Sequence, residues 1–185
     1  MQLEIYKISH PIIQTIINKL DRYHNNELKY YNKYIGLLII YEILRKYIKI
    51  QKLYIKKVRG IKEIDIIDKK NKYLILTDIS KTYNMINEME YIFNHAKIVH
   101  INYDNRKTIE YSIDNLKIDI NNTYIFIIEK ITEKEKVLGL IEYLEIIKKI
   151  PSDKISIGNI ISNNKILEKI GTKYPKLKVY TTKIN

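Results

Sequence analysis

The chain has 185 residues, 45% of them hydrophobic, and its 33 Lys and Arg outnumber 21 Asp and Glu to give a net charge of +12. Such a length and apolar content suit a folded domain with its own core rather than a disordered chain, and the charge favours acidic partners: nucleic acid, anionic headgroups or an acidic protein surface. With no cysteine, disulfides and thiolate metal sites are excluded; the apolar runs also break well short of the ~20 residues a membrane helix needs, and no basic-apolar-small leader opens the chain.

Apolar residues at helical spacing predict a helix over residues 12–20, with Pro11 suited to its first turn and Ser9 or His10 ahead of it. A longer helix follows over 28–47, with Tyr31, Ile35, Leu38, Tyr41 and either Ile43 or Leu44 as its inner stripe. From Ile50 the period changes. Ile50, Leu53, Ile55, Val58, Ile61, Ile64 and Ile66 alternate with Lys and Glu around Arg59-Gly60, which predicts a β-hairpin.

After a turn at 69–71 the pattern becomes that of an α/β core. It predicts a strand at 73–77, a helix at 81–94, a strand at 97–103, a second hairpin through 108–120 and a strand at 124–128. A helix at 132–149, a strand at 154–159, a helix at 163–170 and a strand at 176–181 complete it. Strands alternating with helices imply a mainly parallel sheet covered on both faces, with right-handed crossovers. No linker or repeat interrupts the chain. Residues 1–185 read as one domain, with helices over 1–49, a hairpin arm over 50–69 and an α/β core over 70–185.

One stretch bears directly on chemistry. A strand that feeds a helix through a glycine-rich loop cradles a phosphate, because the backbone N–H groups approach its oxygens unobstructed. Here the strand at 124–128 is followed by Glu129, Lys130, Ile131, Thr132, Glu133, Lys134 and Glu135. With no glycine and three carboxylates, this loop repels a phosphate dianion at least as much as it holds one. The four histidines, His10, His24, His95 and His100, have no metal-ligand spacing, and no serine, histidine and carboxylate set suggests a nucleophile. No catalytic residue, metal or cofactor is expected.

Several pieces resemble the uracil phosphoribosyltransferases, in order along the chain. His10-Pro11 with its following apolar run is similar to that family's HPLVxxxLxxLR opening, and YIGLLIIYEIL, with Gly36, Leu38, Tyr41 and Glu42, to EVGSLLTYEA. NYDNRKTIEY, with Tyr103, Thr108 and Glu110, stands where the family writes YRNEETLEP, and YPKLKVYT, residues 174–181, resembles HPDVELYT. The resemblance implies a phosphoribosyltransferase-like fold with a hairpin arm reaching toward a dimer partner. It also implies a site for phosphoribosyl diphosphate (PRPP), at which the matching residues are changed. The family's ILRAG arginine and glycine fall on Ser80 and Thr82, and the arginine of YRNEET falls on Asp104, although Arg106 lies two positions on. The phosphate-gripping DPMLATGGS falls on 128–136, or one residue later, so that Thr132, Glu133, Lys134 and Glu135 replace its Thr-Gly pair. The uracil-reading segment expected after the last strand has no counterpart in the sequence. These departures imply a degenerate relative without the transferase. The bias toward Ile, Lys, Asn and Tyr, which A+T-rich codons produce, together with the resemblance points to a plastid gene product, in the stroma or on the stromal face of a complex.

Two basic clusters are candidate interaction surfaces. Arg45, Lys46, Lys49, Lys52, Lys56, Lys57 and Arg59 are interleaved with Tyr47 and Tyr54, a pattern that suits either RNA or a solvated hairpin face. Lys165, Lys169, Lys173, Lys176, Lys178 and Lys183 lie where the missing segment would begin, beside a strand edge expected to be exposed. The leading expectation is a non-catalytic structural or scaffold subunit of a larger protein assembly. An RNA-binding regulator and a divergent uracil phosphoribosyltransferase are the alternatives.

Overall fold

The computed structural model of the protein describes residues 3–20, 25–89, 93–103, 105–132 and 135–185. In chain order they form β1 (Glu4–Lys7), α1 (Pro11–Leu20), α2 (Asn25–Tyr47), β2 (Ile50–Lys57), β3 (Gly60–Ile67), β4 (Lys72–Thr77) and α3 (Ile79–Ile86). β5 (Ala96–His100), α4 (Arg106–Asp114), β6 (Thr123–Thr132), α5 (Lys136–Glu142), β7 (Ile155–Ser162), α6 (Asn164–Lys173) and β8 (Lys178–Ile184) follow.

Six strands make one parallel sheet in the order β1-β8-β7-β6-β4-β5, while β2 and β3 pair only with each other. A parallel sheet covered on both sides demands strands apolar on both faces, and β4 and β6 meet that demand. Tyr73 and Ile75 of β4, with Phe126 and Ile128 of β6, pack under α1, α2 and α3. Leu74 and Leu76, with Ile125 and Ile127, pack under α4, α5 and α6. Each fully buried isoleucine contributes roughly 1.5–3 kcal/mol relative to exposure. α2 approaches α3 so closely that a Cβ on Gly36 would lie 2.5 Å from Met85 Cα. Only glycine fits there.

The hairpin forms as the alternation predicts, joined by the two-residue turn Val58-Arg59. Gly60, which opens β3, holds φ +137, in the region that disfavours a side chain.

Four expectations need correction. The segment read as a second hairpin is largely the helix α4. Asn105 Oδ1 accepts the Thr108 N–H at 2.9 Å as an N-cap, and Ile109 and Ile113, four apart, are both buried. β6 does not stop at Ile128. It runs on to Thr132, with Glu129 opposite Asn159, Ile131 opposite Ile161 and Thr132 opposite Ser162, so half of the expected loop is strand. The inner face of α2 excludes Tyr41, which is 57% exposed, and instead carries Ile35, Ile39, Ile40, Ile43, Leu44 and Tyr47. The edge of the last strand is covered over its first half, Lys178 to Thr181. β1, too short to announce itself, pairs parallel with β8 from Glu4 opposite Lys178 to Lys7 opposite Thr181.

Other boundaries shift by a few residues. The helix expected over 81–94 is α3 to Ile86, then a turn and helical backbone at Met89, whose carbonyl accepts the Phe93 N–H at 2.7 Å, with residues 90–92 outside the described residues; that expected over 132–149 is α5 followed by a π-helical turn, Tyr143–Ile147, in which the Lys148 N–H donates to the Tyr143 carbonyl at 3.1 Å.

Candidate functional site

In open parallel sheets, ligands bind beyond the carboxyl ends of the strands. Here the ends of β4 and β6, the start of α3 and Tyr103 beyond β5 surround a cavity of about 440 Å³. Asp78, Lys81, Thr82, Tyr103, Glu129, Lys130 and Lys136 supply its polar lining.

Asp78 begins α3. Its Oδ1 accepts from the Ser80 N–H at 3.2 Å and the Ser80 hydroxyl at 2.6 Å, and its Oδ2 meets Lys81 Nζ at 2.6 Å. Burial acts to raise the Asp78 pKa. The hydrogen bonds from Lys81 and Ser80 and the positive charge nearby outweigh it, so the carboxyl is held below its usual range. The opening amides of α3 are all engaged within the chain. The Ile79 N–H donates to His100 Nδ1 at 3.2 Å, and those of Lys81 and Thr82 to the Asp78 carbonyl, both at 3.0 Å. A helix N-terminus attracts anions through unsatisfied N–H groups. This one offers none among its first four.

Glu129 stands on the opposite wall. Its Oε2 accepts from Thr132 Oγ1 at 2.6 Å, Thr132 Oγ1 accepts from Asn159 Nδ2 at 2.7 Å, and Asn159 Oδ1 accepts from Ser162 Oγ at 2.9 Å. This chain of polar groups crosses from β6 to β7 and locks Thr132 in the sheet. Burial pushes the Glu129 carboxyl up to about 7 and Asp78 adds to the rise, against the Thr132 hydrogen bond and the charge of Lys81. Tyr103 closes the cavity. Its hydroxyl is buried near the Asp78 backbone without a well-formed hydrogen bond among the described residues. Burial, then Glu129 and Asp78, hold its phenol well above the ordinary range.

Of the residues singled out in the sequence for the PRPP position, Ser80, Thr82 and Thr132 lie at or beside this cavity. Thr82 Oγ1 is 2.6 Å from Thr77 Oγ1 and donates to the Asp78 carbonyl at 2.9 Å. Glu135 is turned outward to Lys169 on α6, and Asp104, Glu133 and Lys134 lie outside the described residues. Arg106 pairs with Glu110 at 3.0 Å along α4. The sequence reading missed Asp78, Lys81 and the Asn159–Ser162 pair. The signal for the first was an Asp directly before a helix; for the last, polar residues inside an otherwise apolar strand.

The first basic cluster follows α2 into the hairpin. Arg45 pairs with Glu42 at 2.9 Å, Lys46 Nζ lies 4.4 Å from the Tyr6 ring centre, and Lys52 pairs with Glu63 across the strands. Lys49, Tyr54, Lys56, Lys57 and Arg59 are exposed. The second cluster is divided. Lys178, opposite Ser156, begins β8 and lies 5.6 Å from the Tyr47 ring centre, whereas Lys183, opposite Ile161, stands near the far end of that strand, about 16 Å away at strand rise. Lys173 and Lys176 are exposed at the end of α6 and just before β8. Among the described residues no group of histidine, cysteine or carboxylates could hold a metal ion, and no helix is long and apolar enough to cross a membrane.

A six-stranded parallel sheet with helices on both faces, a hairpin arm and a cavity beyond the strand ends defines a phosphoribosyltransferase-like α/β protein. The chain belongs to the uracil phosphoribosyltransferase family, whose model matches residues 8–185. It is 28% identical over 197 residues to a uracil phosphoribosyltransferase homolog from Porphyra purpurea, covering 100% of this chain and 90% of that protein. A second homolog, from Pyropia yezoensis, is 27% identical with the same coverage. The fold is shared with the AQ2163 protein of Aquifex aeolicus, with a TM-score of 0.71 and 14% identity over 98% of this chain and 87% of that one.

Proposed function

We propose that this protein is a non-catalytic member of its family and serves as a structural or scaffold subunit of a larger assembly. The observation that carries the first half is the closed start of α3, where Asp78 and His100 take up the amides that a pyrophosphate would need. β6 supports it: its end is paired to β7 through Glu129, Ile131 and Thr132, and Glu129 brings a carboxylate to the cavity wall. Transition-state stabilisation in group transfer rests on preorganised donors aimed at developing charge. A helix start whose amides are already engaged within the chain supplies little of that.

The hairpin supports the second half. Paired residues across an antiparallel ladder share a face, so Leu53 with Ile64, Gln51 with Ile66 and Ile55 with Lys62 point one way. Ile50 with Ile67, Lys52 with Asp65, Tyr54 with Glu63 and Lys56 with Ile61 point the other. Leu53, Ile55 and Ile66 are 45%, 39% and 36% exposed, and a lone two-stranded ribbon is marginal in water. An apolar ribbon face of this kind suits burial against a protein surface, a second copy included. The A+T-rich composition and the family membership favour a plastid location.

Two measurements test the proposal. Purified protein given uracil and PRPP is expected to form no UMP above background, and catalytic turnover would overturn the first half. Sedimentation of extract from the source organism is expected to place the chain in a large complex that survives ribonuclease. Collapse to a small species on ribonuclease would assign it to RNA, and a free dimer under both conditions would remove the scaffold.

A further inference from the structure

We infer a second binding site, at the opposite end of the sheet, for a small organophosphate of two or more negative charges. The cavity lies at the amino ends of β4, β5 and β6 and measures about 350 Å³, within the range of small-molecule sites. Its rim brings together Lys69, Lys72, Lys97 and Lys117 against one carboxylate, Asp68. None of these four lysines forms an ion pair with a described residue. Asp68 Oδ1 is occupied by the Lys70 N–H at 2.9 Å. Asp119, near Lys72, has its carboxylate engaged by the Asn121 N–H at 3.1 Å and Asn122 Nδ2 at 3.0 Å.

A surface rich in lysine would by itself mean little in a chain of net charge +12. The independent observation is Thr123. It lines the cavity, only 4% exposed, and its buried Oγ1 has no hydrogen-bond partner among the described residues. Leaving such a hydroxyl unpaired is costly, and a bound oxygen would satisfy it. Register places Thr123 beside Lys72, and Leu74 beside Lys97. Leu74, Leu116 and Ile118 add apolar wall, so the cavity offers ammonium groups, one hydroxyl and a greasy floor together. A bare phosphate would leave that floor uncovered. An ester whose organic part lies on it while its phosphate meets the lysines uses every part of the cavity.

Phenyl phosphate and inorganic phosphate, compared at pH 8 by amide-resolved NMR titration of the whole chain, test the inference. Saturable shifts are expected at Lys72, Lys97 and Thr123, with phenyl phosphate binding roughly tenfold more tightly because its ring covers apolar surface. Thr123→Val, which keeps the shape, is expected to weaken phenyl phosphate roughly fivefold. The double variant Lys72→Ala, Lys117→Ala should abolish saturation, whereas Lys56→Ala, Lys57→Ala on the hairpin should change nothing. Equal affinity for the two anions, indifference to Thr123→Val, or shifts centred on residues 78–82 would overturn it. The result does not depend on whether the protein forms UMP.

Discussion

Replacing Glu129 by Gln isolates the electrostatic cost of the cavity. Unfolded, this glutamate titrates near 4.5; folded, it keeps its proton to about 7. Between those values the folded chain binds more proton than the unfolded one, so stability falls as pH rises from 4.5 to 7 and is level above. At 1.36 kcal/mol per unit, that fall is about 3 kcal/mol at most. Gln cannot ionise, yet it keeps an oxygen to accept from Thr132, so the chain of hydrogen bonds to Asn159 survives. Urea unfolding of both proteins at pH 5, 6, 7 and 8 should therefore show nearly equal stabilities at the acid end. By pH 8 the variant should lead by a margin approaching that figure. Parallel profiles across the range would refute the reasoning, because they would mean that the Glu129 carboxylate is as well solvated in the fold as in the unfolded chain.

Gly36→Ala should destabilise the protein although alanine is the better helix former. The propensity gain of up to about 1 kcal/mol meets a Cβ 2.5 Å from Met85 Cα, so a net loss of about 1–2 kcal/mol is expected in urea unfolding, and unchanged stability would remove the close approach of α2 to α3. A charge on the apolar ribbon face, Leu53→Lys, should release the chain from its complex in sedimentation and leave its unfolding midpoint almost unaltered, since Leu53 is 45% exposed in the isolated chain. Retention of the complex would place the contact elsewhere.

The hairpin was legible because its alternation, its two-residue turn and Gly60 all agree, and each is a local property. α4 was misread for a local reason too. Ile109, Tyr111 and Ile113 repeat every second residue as a strand would, and the competing signals, the Asn105 cap and the four-residue spacing of Ile109 and Ile113, are the ones the fold obeys. β1 could not be read, because EIYK is short and exposed and becomes a strand only by pairing with β8. The continuation of β6 is likewise imposed by β7, which overrides the loop-like look of Glu129 and Lys130. In the stretch 129–135, the lack of glycine was visible in the sequence. The closure of α3 by Asp78 and His100 was not, since His100 arrives from a different strand.

The pairing of β1 with β8 also sets a timetable. The ribosome makes Glu4–Lys7 well before Lys178–Ile184, which must be laid against β7 before β1 has anything to pair with. Such distant pairings bear their loop-closure entropy before any contact compensates it, so this edge is completed after the locally connected units. Until then β1 is an unpaired segment, available to chaperones or to a neighbouring chain. Tyr6 stacks on Tyr180 with ring centres 4.8 Å apart once the strands meet. With no tryptophan in the chain, tyrosine emission is visible, and its difference from a Tyr6→Phe variant can time that final closure.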